Sequence, residues 1–144
     1  MTTRDIDRRS PLLRTAGSTV LIATVAGLAI FGIAAAAGAD FRVRPPGSDA
    51  VMDINAVAVA VTIILTTALG WAVVTLARRV GRPSLRAIGV IAAVFAVISV
   101  AMPLGAEGDA AARLVLAALH LVTGAIFVAG VELLRRRMPS GDHA

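Results

Sequence analysis

Charged side chains are absent from four long stretches of this chain. Residues 15–39, 54–77, 87–106 and 114–131 contain no Asp, Glu, Lys or Arg. The stretches are 25, 24, 20 and 18 residues long, and a helix rising 1.5 Å per residue needs roughly 20 apolar residues to cross a hydrocarbon core. The pattern predicts an all-α protein, an antiparallel bundle of four transmembrane helices over about residues 16–38, 54–77, 84–103 and 110–134. The connections are short, so one domain accounts for residues 1–144, with 1–14 and 138–144 as flexible tails.

Prolines and capping residues set the expected ends. Pro11 should interrupt any helix reaching back from span one, because proline lacks the backbone donor. Arg44-Pro45-Pro46-Gly47-Ser48 blocks helix through the middle of the 39–53 connection. Just before it, Phe41 and Val43 alternate with Arg42 and Arg44, which predicts a short extended piece on the bundle mouth. Asp53 is the expected N-cap of span two, and Pro83 suits the first turn of span three. The tight connection from Arg78 to Arg86 then makes spans two and three an antiparallel hairpin. Span three should end at Met102-Pro103-Leu104-Gly105. Asp109 should cap span four and pair with Arg113 four residues on, while Glu132 has Arg135 and Arg136 at helical spacing. The two halves share hydropathy but no motif at a fixed offset, so an inverted-repeat transporter gains no support.

Composition moves the picture in the same direction. A mean hydropathy of +0.85 with 58% hydrophobic residues exceeds the roughly 45–50% apolar share of a soluble domain. The formal charge of +5 is no signature of nucleic acid, because all 14 basic residues are Arg and they gather at the ends of the apolar stretches. Arg4, Arg8, Arg9 and Arg14 precede span one. Arg78, Arg79, Arg82 and Arg86 separate spans two and three, and Arg135, Arg136 and Arg137 follow span four. The other two connections hold only Arg42, Arg44 and Arg113, accompanied by Asp40, Asp49, Asp53, Glu107 and Asp109. Basic residues near span ends are retained in the cytoplasm, so eleven against three places both termini there. The tail arginines could each gain about 1 kcal/mol from anionic lipid, but topology already accounts for them. Ala37-Gly38-Ala39 after an apolar run has the look of a signal-peptide cleavage site, yet an uncharged run of 25 residues exceeds the roughly 7–15 of a signal h-region. Cysteine is absent, which excludes disulfides, thiolate metal sites and thiol nucleophiles.

Small residues suggest where helices approach one another. Span one carries Ala23/Gly27 and Gly32/Ala36 pairs, and span two carries a ridge of Ala58, Thr62, Thr66 and Gly70 at four-residue steps. The sharpest candidate for chemistry is His120, the one imidazole inside a span, of a side-chain type whose charge changes near neutral pH. An ionisable group in hydrocarbon is a functional candidate by default. Counting depth at 1.5 Å per residue sets Gly32, Thr62, Ser99 and His120 at one level, about 10–13 Å from the external end, and predicts an intramembrane polar layer if they face inward. A neutral His120 bonded to Ser99 or Thr62 would fix helix rotation, at about 0.6 kcal/mol per bond. A proton-linked role and ligation of haem or metal across a homodimer are the sharper alternatives. His143 lies too far along the chain to join the layer unless the tail folds back.

Several enzyme classes lose ground on inspection. Ser99 with His120 invites an intramembrane serine protease, but no Gly-x-Ser-x-Gly elbow surrounds Ser99 and no oxyanion site is visible. There is no phosphate loop, zinc spacing or intramembrane carboxylate pair. Span one lacks the Glu that small four-span multidrug exporters use. Trp71, about 10 Å inside the cytoplasmic end, reads as a packing or belt aromatic.

Leu69-Gly70-Trp71-Ala72 before Arg78-Arg79, Pro103, and Ala117-Ala118-Leu119-His120-Leu121-Val122 carry a family resemblance, together with Asp40-Phe41-Arg42-Val43. Over about residues 15–134 the chain resembles an uncharacterised family of small four-span membrane proteins from high-GC Gram-positive bacteria. That resemblance implies four helices and a plasma-membrane location, and it brings no catalytic residues. The expectation is a non-enzymatic, multi-pass membrane component without cofactors. Its partners are the bilayer and a second copy or another membrane protein. A small proton- or pH-linked transporter or sensor using His120 is the alternative.

Overall fold

The computed structural model describes residues 3–80 and 85–137, with side chains described for 11–78 and 85–137. Arg82, Pro83, His143 and the 138–144 tail lie outside the described residues. Helix α1 spans Thr3–Ala36. A short strand β1 (Arg42–Arg44) and a two-residue strand β2 (Met52–Asp53) follow, then α2 (Ala56–Val80) and α3 (Leu85–Ser99). A five-residue helix α4 (Ala101–Gly105), strand β3 (Glu107–Gly108) and α5 (Ala110–Arg137) complete the order. Four segments, Pro11–Ala36, Ala56–Arg78, Leu85–Gly105 and Ala110–Arg137, are long and apolar enough to cross a membrane. The four-span, all-helical bundle expected from hydropathy is the fold.

Helix ends follow local chemistry, with three departures from expectation. Pro11 lies inside α1, so residues 3–14 continue the helix rather than forming a tail. Proline costs one bond, to the carbonyl four residues back, while its fixed φ suits a helix, and the apolar part of the span begins at Pro11 itself. Asp53 is taken up by β2, and Asn55 caps α2 instead, its Oδ1 accepting the Ala58 amide at 2.9 Å. Span three does end at Gly105, as expected, and the departure is a break within it: without an amide at 103 the Ser99 carbonyl lacks its usual helical donor. The chain tightens at Val100, whose amide bonds Val97 O at 3.2 Å, before α4 resumes. Two more ends are capped, that of α5 by Asp109, the residue expected from sequence. Gly38, at φ 91°, closes α1 with the Ala39 amide on Ala34 O at 3.1 Å and its own on Ala35 O at 3.0 Å. Asp109 Oδ2 accepts the Ala112 amide at 3.2 Å.

The expected Asp109–Arg113 pair does not form. Arg113 Nη2 instead donates to the Leu104 carbonyl at 2.9 Å, filling an acceptor left open at the end of α4. Glu132 does hold both expected arginines, with Arg135 Nε at 2.6 Å and Arg136 Nε at 2.9 Å.

Packing order differs from chain order. α5 is central, with α1 on one side and α3 on the other, and α2 packs chiefly on α1. Spans two and three are therefore not a packed hairpin; spans three and four are. α1 buries Thr15, Thr19, Ala23, Gly27 and Phe31, a single stripe at four-residue steps. α2 answers with Val59, Ile63, Thr67, Trp71 and Val74. The core has two parts. Ala23, Phe31, Phe41, Val59, Ile63, Ala112 and Leu119 fill the end near the 39–53 connection. Trp71, Val74, Val131 and Leu134 fill the other. Trp71 is a packing residue, its ring 5.6 Å from that of Phe127 in an edge-on arrangement.

Across the loop end lies a three-stranded antiparallel sheet in the order β2-β1-β3, with Val43 opposite both Met52 and Gly108. Alternation puts Val43 down onto the bundle and Arg42 and Arg44 outward, the short extended piece anticipated from sequence. Gly108, at φ 141°, passes so close beneath β1 that a Cβ there would stand 2.7 Å from the Arg42 carbonyl oxygen. Arg44 closes the far edge on Glu107 at 3.0 Å. The sheet ties the first connection to the third.

Candidate functional site

His120 lies near the middle of α5, ten residues or about 15 Å from its first turn. Its face is identified by its neighbours along the helix. Gly124, one turn on, abuts Ala96 of α3. Phe127, two turns on, abuts Gly70 of α2, where a Cβ would meet the ring at 2.7 Å. Residues at i+4 and i+7 share a face, so His120 stands on the side of α5 that looks between α2 and α3. Those two helices barely meet, and His120 is exposed. His120 thus faces outward on the flank where α2 and α3 stand apart.

The same two contacts give the register. Ser99 lies three residues beyond Ala96, and His120 four residues from Gly124, both toward the loop end, so they stand within about 2 Å of one level. Seven residues back from the Phe127–Gly70 contact, His120 on α5 corresponds to Ile63 on α2, beside Thr62. The common depth of Thr62, Ser99 and His120 follows from these contacts. Their mutual bonding does not. His120 Nδ1 is 2.7 Å from the Leu116 carbonyl of its own helix, and the Ser99 hydroxyl donates to Ala96 O at 2.8 Å. Thr62 is exposed, and the interhelical bond from His120 to Ser99 or Thr62 expected from sequence is not made.

Gly32 does not join the group. It falls one residue past the buried stripe that ends at Phe31, is exposed, and has no heavy atom within 4 Å of where a Cβ would be. The Ala23/Gly27 pair is buried, but the Gly32/Ala36 pair lies on the outer surface. The Ala58, Thr62, Thr66, Gly70 ridge is also only partly a packing face. Gly70 meets Phe127, whereas Thr62 and Thr66 stay exposed on the same edge toward the loop end. The stripe that α2 buries starts one residue later, at Val59. Both sets step by four, and the one carrying the larger apolar side chains was the signal for the buried face.

Most of the polar side chains in the spans share one habit, while the Thr62 and Thr123 hydroxyls make no such bond. Ser18, Thr19, Thr24, Thr66, Thr67, Thr75, Ser99 and His120 each bond a carbonyl three or four residues back in their own helix. The Thr15 hydroxyl and Trp71 Nε1 are buried without a partner. Among the described residues, no three His, Cys, Asp or Glu side chains gather as they would around a metal ion. An open hollow lies on the lid formed by the three-stranded sheet and the 39–53 connection, between Arg44, Pro46, Ser48, Asp49 and Glu107.

The chain matches the family described as Family of unknown function (DUF6069) over residues 7–137, well over half of its 144 residues. The chain belongs to that family. The resemblance drawn from sequence is met at that level, an uncharacterised family with four span-capable helices. Membership in DUF6069 assigns no chemistry to His120 or to the lid. No curated protein and no solved structure matches the chain.

Proposed function

We propose that this DUF6069 protein is a non-enzymatic, multi-pass component of the plasma membrane that acts by binding within the bilayer. Both termini face the cytoplasm, and the lid faces outward. One observation carries the reading: the bonded hydroxyls and the imidazole of the spans are each spent on their own helix, so the groups that could form a nucleophile–base pair or a proton relay are not linked to one another. The flank of α5 between α2 and α3 is left uncovered, with His120 exposed on it, which suits the bundle to receive a partner. The Arg distribution, eleven against three, supports the orientation.

His120 supports a second reading, a proton- or pH-linked transporter or sensor, because its exposure keeps it accessible. Purified protein in liposomes loaded with a pH-sensitive dye separates the two. The binding reading expects no protein-dependent proton flux after a pH jump. Flux that is lost in His120→Gln would overturn it in favour of the second. Labelling of Ser48→Cys in intact cells tests the orientation: reaction with an impermeant maleimide is expected, and protection until the cells are lysed would invert the bundle.

A further inference from the structure

The end of the bundle opposite the lid carries a charge that its own side chains do not balance. We infer that the arginines of all four spans form a docking surface there for the headgroups of anionic phospholipids. The inference rests on the binding reading above in taking the bilayer as the partner. Three close approaches fix the height of these arginines. α1 meets the antiparallel α5 where Thr19 abuts Gly130, and five residues outward on each helix bring Arg14 level with Arg135. α3 meets α5 where Ala96 abuts Gly124, and ten residues outward Arg86 is level with Leu134. α2 runs parallel to α5 with Gly70 against Phe127, so eight residues on Arg78 is also level with Arg135. At 1.5 Å per residue the four arginines lie within about 2 Å of one height, with Arg136 and Arg137 just beyond. Leu12 and Leu85 confirm the alignment, since both pack on the cluster of Trp71, Val74, Val131 and Leu134 that closes this end.

Glu132 is the one carboxylate at this end among the residues whose side chains are described, and it is already held by Arg135 at 2.6 Å and Arg136 at 2.9 Å. Arg14, Arg78, Arg86 and Arg137 make no ion pair among the described residues, and all but the half-buried Arg78 are exposed. Farther out along α1, Arg4, Arg8 and Arg9 outnumber Asp5 and Asp7. Packed helices stand about 8–10 Å apart, no more than the screening length of physiological salt, so neighbouring guanidinium groups repel one another. Insertion topology calls for a surplus of basic residues here, counted as the chain enters the membrane. It does not call for them at one height with a single carboxylate, and it leaves their repulsion in the folded state uncompensated. Phosphate in a headgroup lies at the level of the span ends and accepts from two guanidinium N–H groups at once. A second copy of this chain would bring the same positive charge to this end and cannot neutralise it.

The full chain in nanodiscs of phosphatidylcholine with a rising share of phosphatidylglycerol tests this, with thermal unfolding followed by the emission of Trp71, the only tryptophan. A saturable rise in midpoint with phosphatidylglycerol is expected at low salt. It should shrink in about 1 M sodium chloride, where the screening length falls to about 3 Å. Arg14→Gln and Arg86→Gln should each raise the half-saturating share about fivefold, the worth of one arginine at an anionic surface. In phosphatidylcholine alone both variants should be at least as stable as the wild type, since each removes repulsion, and that result also shows that they fold. Arg42→Gln, exposed on the lid, should respond as the wild type does. Equal midpoints in the two lipids, a response undiminished by salt, or one unchanged when Arg14→Gln and Arg86→Gln are combined overturns the proposal. So does inorganic phosphate that stabilises the protein in phosphatidylcholine as far as phosphatidylglycerol does, and beyond sodium chloride of equal ionic strength; the arginines would then belong to a soluble anion. Each of these results leaves the binding reading open to a protein partner, whereas proton flux that depends on His120 would remove that reading without altering the midpoints.

Discussion

Phe41 is the principal anchor of the lid, and its replacement measures how firmly the loop end is held. Its ring is 6% exposed and packs on Phe31, 8% exposed, with centroids 4.4 Å apart and planes 37° apart. Phe41→Ala removes that ring from the core cluster and leaves a hole between β1 and α1. For a buried phenylalanine the transfer and cavity terms together cost roughly 3–5 kcal/mol. The lower end applies here, because Val43 still holds β1 and the lid can settle partway into the hole. Water-based magnitudes are appropriate because Phe41 sits on a connection outside the spans, where the unfolded alternative is water. Within the spans the alternative would be lipid, which is as apolar as leucine. A loss of about 3 kcal/mol is a shift of more than a hundredfold in the folded ratio. Thermal unfolding in detergent micelles should report it, and amide exchange should locate it. The Ile54 amide, which bonds Phe41 O at 3.1 Å, should lose protection while amides near Gly130 keep theirs. A cycle with Phe31→Leu and Phe41→Leu should show coupling of about 1 kcal/mol from the aromatic pair. An unchanged midpoint with a protected Ile54 amide would refute the anchoring argument, and strict additivity would refute the pairing.

Gly108→Ala should destabilise the lid by about 1–3 kcal/mol, since it forces a side chain into φ 141° and against the Arg42 carbonyl; amide exchange of β1 checks this. Gly70→Ala should push the Phe127 ring aside from a contact of 2.7 Å and cost about 1–3 kcal/mol, with a change in Trp71 emission as the readout. Asn55→Ala should lower stability by about 1 kcal/mol through loss of the α2 cap, whereas Asp53→Ala should leave that cap intact. Equal effects of the last two on exchange in the first turn of α2 would show the cap to be misassigned.

Local chemistry made some sites legible and concealed others. The extended stretch at Phe41 and Val43 was visible because alternation of apolar and charged residues is a property of neighbours. Its partners were not: Glu107 is 63 positions from Arg44, and a two-residue strand carries no pattern of its own. The level shared by Thr62, Ser99 and His120 could be counted because helical rise is constant. Which way each residue faces could not be counted, since four-residue steps describe the exposed ridge through Thr62 and Thr66 as well as the buried stripe through Ile63 and Thr67. Pro11 and Pro103 show the same limit, one absorbed within a helix and the other splitting one.

What the sequence alone determined was the class: four uncharged runs of bilayer length leave a helix in lipid as the way to satisfy their backbone. The tertiary structure decided which helices touch. The steric fit of Gly124 to Ala96, of Gly27 to Ile63 and of Gly70 to Phe127 sets α5 between α1 and α3 and leaves α2 and α3 apart. That gap turns His120 from an expected buried tie between helices into an exposed residue bonded to its own helix, because apolar hydropathy is indifferent to neighbour choice while close packing is not.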